Sequence, residues 1–238
     1  MTLPEQPTGH RTFHEKLDLL KQRLVAMSQR AEELLALSVD AFLKRDAGKA
    51  QAVLDSDEDV DKLEVEIEQL AISLLALQQP MARDLRFIIS AIKITGDLER
   101  VGDHSVNIAE SALRMLELRT NVDPPPEIEE MAHRAARMLS DALDAVVRVD
   151  GVLGRDVCRR DDLVDALHES VFRIMLTHMM EDQTRISPAL ELLLVSRNLE
   201  RVADLATNVA EDAVYLAEGK NIKHHLEDRT AKGPELHV

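Results

Sequence analysis

The chain is poor in the residues that build sheets, cross-links and turns. Aromatic residues make up 2% of it, with no tryptophan and one tyrosine. Strands draw on aromatic and β-branched residues, so this scarcity argues against a β-rich fold. Glycine and proline number eight each in 238 residues, too few to punctuate many short elements. The single cysteine, Cys158, excludes an intramolecular disulfide and a cysteine-rich zinc site. It suits a small apolar residue in a reducing compartment. No apolar run approaches the roughly 20 residues of a membrane span, and Met1 to Thr12 lacks the basic-then-apolar order of a signal peptide. These absences predict a cytoplasmic protein. Basic residues are outnumbered, 29 Lys and Arg against 44 Asp and Glu, for a formal charge of −15. That balance opposes binding to nucleic acid or anionic lipid and suits cations or a basic protein surface. No glycine-rich phosphate loop, nucleophile elbow or kinase signature is present, so no catalysis is expected.

What the chain does have is a repeated stretch. Leu98-Glu99-Arg100-Val101-Gly102-Asp103-His104-Ser105-Val106-Asn107-Ile108-Ala109-Glu110 returns 101 residues later as Leu199 to Glu211, with eight of thirteen positions identical. Neither copy contains proline, and both read as helix. At about 100° per residue, Glu99, Asp103, Asn107 and Glu110 share an arc of roughly 80°. The apolar stripe Ile94, Leu98, Val101, Ile108 and Ala112 lies on roughly the opposite side. The second copy repeats the pattern with Glu200, Asp204, Asn208 and Glu211. Each copy therefore forms an oxygen-rich ledge away from the helix's main core face.

Apolar periodicity extends the helical reading along the chain. Phe13, Leu17, Leu20, Leu24, Met27 and Ala31 mark a helix over about 11–44, and Leu63, Ile67, Leu70 and Leu74 mark one over about 49–78 that Gln79-Pro80 ends. A third, capped by Asp84, runs to about 118. Pro124-Pro125-Pro126 cannot continue a helix and forms a stiff link. Three more helices follow over about 127–149, closed by Gly151 and Gly154, then 156–180 and 187–217, the last stopped by Gly219. Met175, Met179 and Met180 read as core. The expected fold is all-α: two tandem, pseudo-symmetric, antiparallel three-helix bundles over 11–121 and 122–220, with a tail over 221–238.

A ledge that binds something needs ligands from a neighbouring helix. The second helix offers Asp57, Asp61, Glu64 and Glu68 within roughly 60° of arc. The fifth offers Asp161, Asp165 and His168 at the same spacing. The midpoint between 57/61 and 99/103 is the turn residue Pro80, and that between 161/165 and 200/204 falls between Asp182 and Gln183. In antiparallel hairpins these acidic pairs lie level. Level, facing carboxylates repel unless a cation separates them. Oxygen ligands of this kind suit iron, manganese, magnesium or calcium better than a typical zinc site. Arg100 and Arg201, beside the acids, read as salt-bridge partners. The chain has one Glu-x-x-His, Glu130 with His133, where a four-helix di-iron protein needs two.

Duplicated three-helix halves, each with an acidic-x-x-x-acidic pair on its second helix and Leu-Glu-Arg-Val-x-Asp on its third, resemble the PhoU family. Gln78 to Arg86 and Tyr215 to Gly219 are similar to that family's motifs, and the resemblance spans about residues 13–224. It implies an accessory regulator of bacterial phosphate-specific transport that represses the phosphate-starvation response. The partners implied are the phosphate ABC transporter and the phosphate sensor histidine kinase, reached from the cytoplasm, and the protein is often a homodimer. Carried over by position, the metal residues are Asp57, Asp61, Glu99 and Asp103, then Asp161, Asp165, Glu200 and Asp204. Asn107, Glu110, Asn208, Glu211, Glu64 and His168 are secondary. Iron is the foremost metal, with manganese, magnesium, calcium or zinc as others such ledges could take. His168 stands where the first repeat has Glu64, so the second site differs in ligand type. The competing reading is a carboxylate-bridged iron redox or storage protein, which would enclose its metal in a four-helix core.

Overall fold

The protein is described here from a computed structural model covering residues 8–56, 58–78, 80–118 and 122–222. Among the described residues it is helical throughout and contains no strand. Its six long helices are α1 (Thr8–Lys44), α3 (Glu58–Gln78), α4 (Ala82–Glu117), α5 (Pro126–Arg148), α7 (Asp161–Glu181) and α8 (Ile186–Glu218). Two short ones, α2 (Ala47–Leu54) and α6 (Gly151–Cys158), separate the first and second long helices of each half. The expected apolar stripes are buried: Leu20, Met27, Ile67, Leu74, Ile94, Leu98 and Ile108 all lie at or near zero exposure.

The short helices correct the sequence reading twice. The helix expected over 49–78 is two helices, and Gly151 and Gly154 lie inside α6 rather than closing the helix before it. The cause is the same in both halves. α1 and α5 each end on a left-handed residue, Arg45 at φ 53° and Val149 at φ 55°. An aspartate follows and caps a new helix. Asp46 accepts from the backbone N–H of Gly48 and Lys49, and Asp150 from those of Val152 and Leu153. Gly154 permits close packing, since a Cβ there would stand 2.7 Å from the Ala210 carbonyl oxygen of α8. Asp84 also differs from expectation. It sits in the first turn of α4, where its charge favours the helix dipole, while Met81 holds the cap position without a side-chain bond.

In the first half α1, α3 and α4 pack on one another, and in the second α5, α7 and α8 do the same. The halves join through α4 against α8 and α1 against α5, and one apolar cluster runs through both. Polar contacts fix the α4–α8 register. Lys93 bonds the buried Asp212 at 3.4 Å, His104 Nδ1 meets Asn198 Oδ1 at 2.9 Å, and Arg114 bonds Glu191 at 2.9 Å. The residue numbers of these pairs add to between 302 and 305, so the helices run antiparallel. Glu99 with Asp204, and Asp103 with Glu200, fit the same sum. The two ledges therefore stand at one height across the α4–α8 pair. Lys93 also lies 5.5 Å from the centre of the Tyr215 ring. Ser90 Oγ, 3.5 Å from the Asp212 carboxylate, adds a second contact to it across the same pair of helices.

Candidate functional site

Each ledge forms where the last two helices of a half run side by side. α3 and α7 bring short acidic runs, α4 and α8 bring the repeated Glu-Arg-Val-x-Asp. Each of these helices turns its apolar stripe inward, which leaves its acids at the rim. Asp61, Asp103 and Asp165 are exposed, and Glu64, Glu99, Asp161, His168, Glu200 and Asp204 are half-buried. Asp57 lies outside the described residues.

In the first half the acids act on one another electrostatically. Burial raises the Glu99 carboxyl above its ordinary pKa, and the charges of Asp103, Glu64 and Asp61 raise it further. Burial also raises Glu64, helped by Glu68, Asp61 and Asp103. Arg100 offsets part of both effects, although its own ion pair, at 3.3 Å, is with the buried Asp97. Residues predicted on different helices thus lie close enough to oppose each other's ionisation.

The second half is more strained. Asp161 opens α7, and its carboxyl is pushed up to about 6, first by burial and then by Asp165, Asp204, Asp162 and Glu200. Its Oδ1 is buried with no hydrogen-bond partner. Burial and Asp204 raise Asp165, and burial and Asp204 raise Glu200. Arg201 supplies an internal cation, 2.9 Å from Asp204 and 3.5 Å from Glu200, as its salt-bridge reading expects. His168 Nδ1 stands 2.7 Å from Ser196 Oγ, which leaves Nε2 as the nitrogen a ligand would take.

The secondary residues divide. Glu110 pairs with Arg114 at 3.2 Å, and that arginine bridges to Glu191 across the halves, so Glu110 serves the α4–α8 contact. Glu211 acts on Cys158: burial first, then the Glu211 charge, pushes that thiol up to about 11. Asn107 is exposed on α4, and Asn208 is half-buried on α8. Two residues escaped the sequence reading. Asp162 adds its charge to Asp161 and Asp165, and Thr207, one turn beyond Asp204, has a buried Oγ1 with no partner. Asp162 was legible as one more acid in the run. Thr207 was not, because the first repeat has Val106 there.

Among the described residues, no three His, Cys, Asp or Glu side chains converge tightly enough to hold a metal ion as they stand. The donor chemistry nonetheless fits a hard cation. The groups are carboxylates with one imidazole, their charges conflict, and Asp161 carries a buried oxygen without a donor.

The chain matches the family described as "PhoU domain" twice, over residues 24–112 and 128–213. It is 37% identical over 211 residues to a phosphate-specific transport system accessory protein PhoU homolog from Clostridium acetobutylicum, covering 88% of this chain and 96% of the relative. A homolog of the same name from Caulobacter vibrioides is 38% identical over 228 residues, 96% of each chain. The crystal structure of PhoU from Pseudomonas aeruginosa superposes with a TM-score of 0.85 at 34% identity, covering 87% of this chain and all of that one. The phosphate transport system regulatory protein PhoU from Streptococcus pneumoniae gives 0.81 at 28% identity, over 89% of this chain and 99% of the other. Duplicated bundles, level acidic ledges and these likenesses lead to one conclusion: the chain belongs to the PhoU family.

Proposed function

We propose that the protein is a non-enzymatic accessory regulator of phosphate transport that carries metal ions on its two acidic ledges. It acts from the cytoplasmic side on the phosphate ABC transporter and on the sensor histidine kinase of the phosphate response, and it holds the phosphate regulon off when phosphate is plentiful. A homodimer is the expected assembly, and iron the foremost metal. The observation that carries the reading is the pair of acidic sets at equivalent places in the two halves, each with carboxylates raised by burial and by one another. Cation binding would relieve that conflict and stiffen one helix pair in each half. The redox or storage alternative fits less well, because Asp61, Asp103 and Asp165 face solvent rather than a four-helix interior.

The test is genetic. Deleting the gene should switch on phosphate-starvation genes in phosphate-rich medium. Wild type should restore silence, and the tagged protein should co-purify with transporter and kinase. A deletion strain that keeps those genes silent, with pull-downs that recover neither partner, would overturn the assignment. No helix among the described residues is long and apolar enough to cross a membrane.

A further inference from the structure

The two hairpins of this duplicated fold differ at their tips. On α7, Phe172, Leu176 and Met180 follow one another at intervals of four residues, and on α8, Ile186, Leu190 and Leu194 do the same. All six are exposed, Phe172 at 50% and Met180 at 81%. Met180 was expected in the core with Met175 and Met179. Met175 is buried, but Met180 lies on the outside. At about 100° per residue, Phe172 and Leu176 lie beside Asp165 around α7, and Leu190 and Leu194 lie on the side of α8 that bears Asp204. The antiparallel register sets Leu176 nearly level with Leu190, and Phe172 with Leu194. The result is one continuous open face, apolar toward the turn and acidic toward the ledge.

The first half carries only part of this face: Ile72 and Leu85, both exposed, stand at the places of Leu176 and Ile186, but the positions nearest the ledge are charged. With the offset that relates Asp61 to Asp165, Glu68 stands where Phe172 does, and with the offset that relates Glu99 to Glu200, Lys93 stands where Leu194 does. Single exposed apolar residues are ordinary, whereas six on one face of two packed helices form an interaction surface.

We propose that this face docks an amphipathic helix of a partner protein, with its apolar side over Phe172, Leu176, Leu190 and Leu194 and basic residues directed at the ledge. Charge selects the occupant. On the ledge side of the patch Asp161, Asp162, Asp165, Glu200 and Asp204 outnumber the two cations there, Arg197 and Arg201, on a chain of formal charge −15. An anionic membrane would be repelled. Two copies meeting face to face would set ledge against ledge. A basic helix satisfies both ends of the surface at once. The proposal needs no metal in the ledges, and its failure would leave the regulatory reading standing.

The probe is a fluorescent helical peptide of about 18 residues, leucine at helical spacing and lysine elsewhere. It is titrated against the full chain with chelator present. Its counterpart carries glutamate in place of lysine. The lysine peptide should bind, more weakly as salt rises, and the glutamate peptide should not. Phe172→Glu with Leu190→Glu should weaken binding at least about tenfold. These changes add negative charge, which would tighten a purely electrostatic association, so weakening reports apolar contact. Phe172→Ala, a milder change, should weaken it less, and Ile72→Glu on the exposed surface of α3 should leave it unchanged. Equal binding of both peptides would overturn the proposal, as would equal loss with Ile72→Glu. So would sedimentation showing that the double variant turns a dimer into a monomer, which would assign the face to a second copy. If the lysine peptide bound only after residues 223–238 were removed, the face would belong to the chain's own tail and the proposal would fail.

Discussion

Buried ionisable groups in this protein are shaped by the acids around them. Cys158 touches the Thr207 carbonyl oxygen at 3.9 Å, and burial with the Glu211 charge raises its thiol from 9.0 to about 11. The thiolate is the reactive form, so at about pH 8 the reactive fraction falls roughly a hundredfold below that of an ordinary thiol. A thiol reagent such as DTNB should therefore label the folded protein far more slowly than the urea-unfolded chain, and the rate should climb only as pH nears 11. Complete labelling of the folded protein within the mixing time would contradict the burial described here. The sequence already implied a passive cysteine, because a lone thiol has no second cysteine to pair with or to share a metal. The sequence also identified most of the ledge acids, since carboxylates four residues apart on a helix must share a face. Their rank within the site was not legible. That Asp161 carries the most strained carboxyl depends on its burial at the start of α7 and on the charges of Asp204 and Glu200 from α8. That Glu110 serves the inter-half contact depends on Arg114 and on Glu191, 81 residues away in sequence.

Among the elements, the long helices were written in their apolar spacing and the short ones were not. α2 and α6 are eight residues each, too brief for periodicity to register. Their local signal was the aspartate that caps each one, Asp46 and Asp150, directly after a residue forced to positive φ. Gly154 shows how tightly α6 is held. An alanine there would press its methyl group on the Ala210 carbonyl oxygen and on Val214, 3.0 Å away, so either helix must shift. Gly154→Ala should cost about 1–3 kcal/mol in urea denaturation. Gly96→Ala is the counter-case. Gly96 lies inside α4, and a Cβ there meets nothing within 4 Å. That substitution should gain about 0.5–1 kcal/mol from helix propensity alone. A neutral Gly154→Ala would mean that α6 does not approach α8 as closely as described.

At the scale of the whole molecule, the α4–α8 contact makes two hairpins into one body and sets the two ledges at equal height. The duplication was visible in the sequence, and so was the level pairing within each half, because hairpin geometry follows from where the turn falls. The packing of one half against the other was not visible. It rests on Lys93 reaching Asp212 and Arg114 reaching Glu191, contacts between residues 119 and 77 apart in sequence. The central claim is that both ledges are cation sites. Calorimetry with elemental analysis, on protein purified without chelator, tests it most directly. Wild type should bind divalent or trivalent cations in both halves. Asp103→Ala with Asp204→Ala should weaken both sites while leaving the helical content intact. Bound cation should also raise the melting temperature of wild type, by about 2.7 kcal/mol of stability per site when free metal is a hundred times its Kd. No binding to wild type at micromolar to millimolar metal, with no change in melting temperature, would contradict the claim.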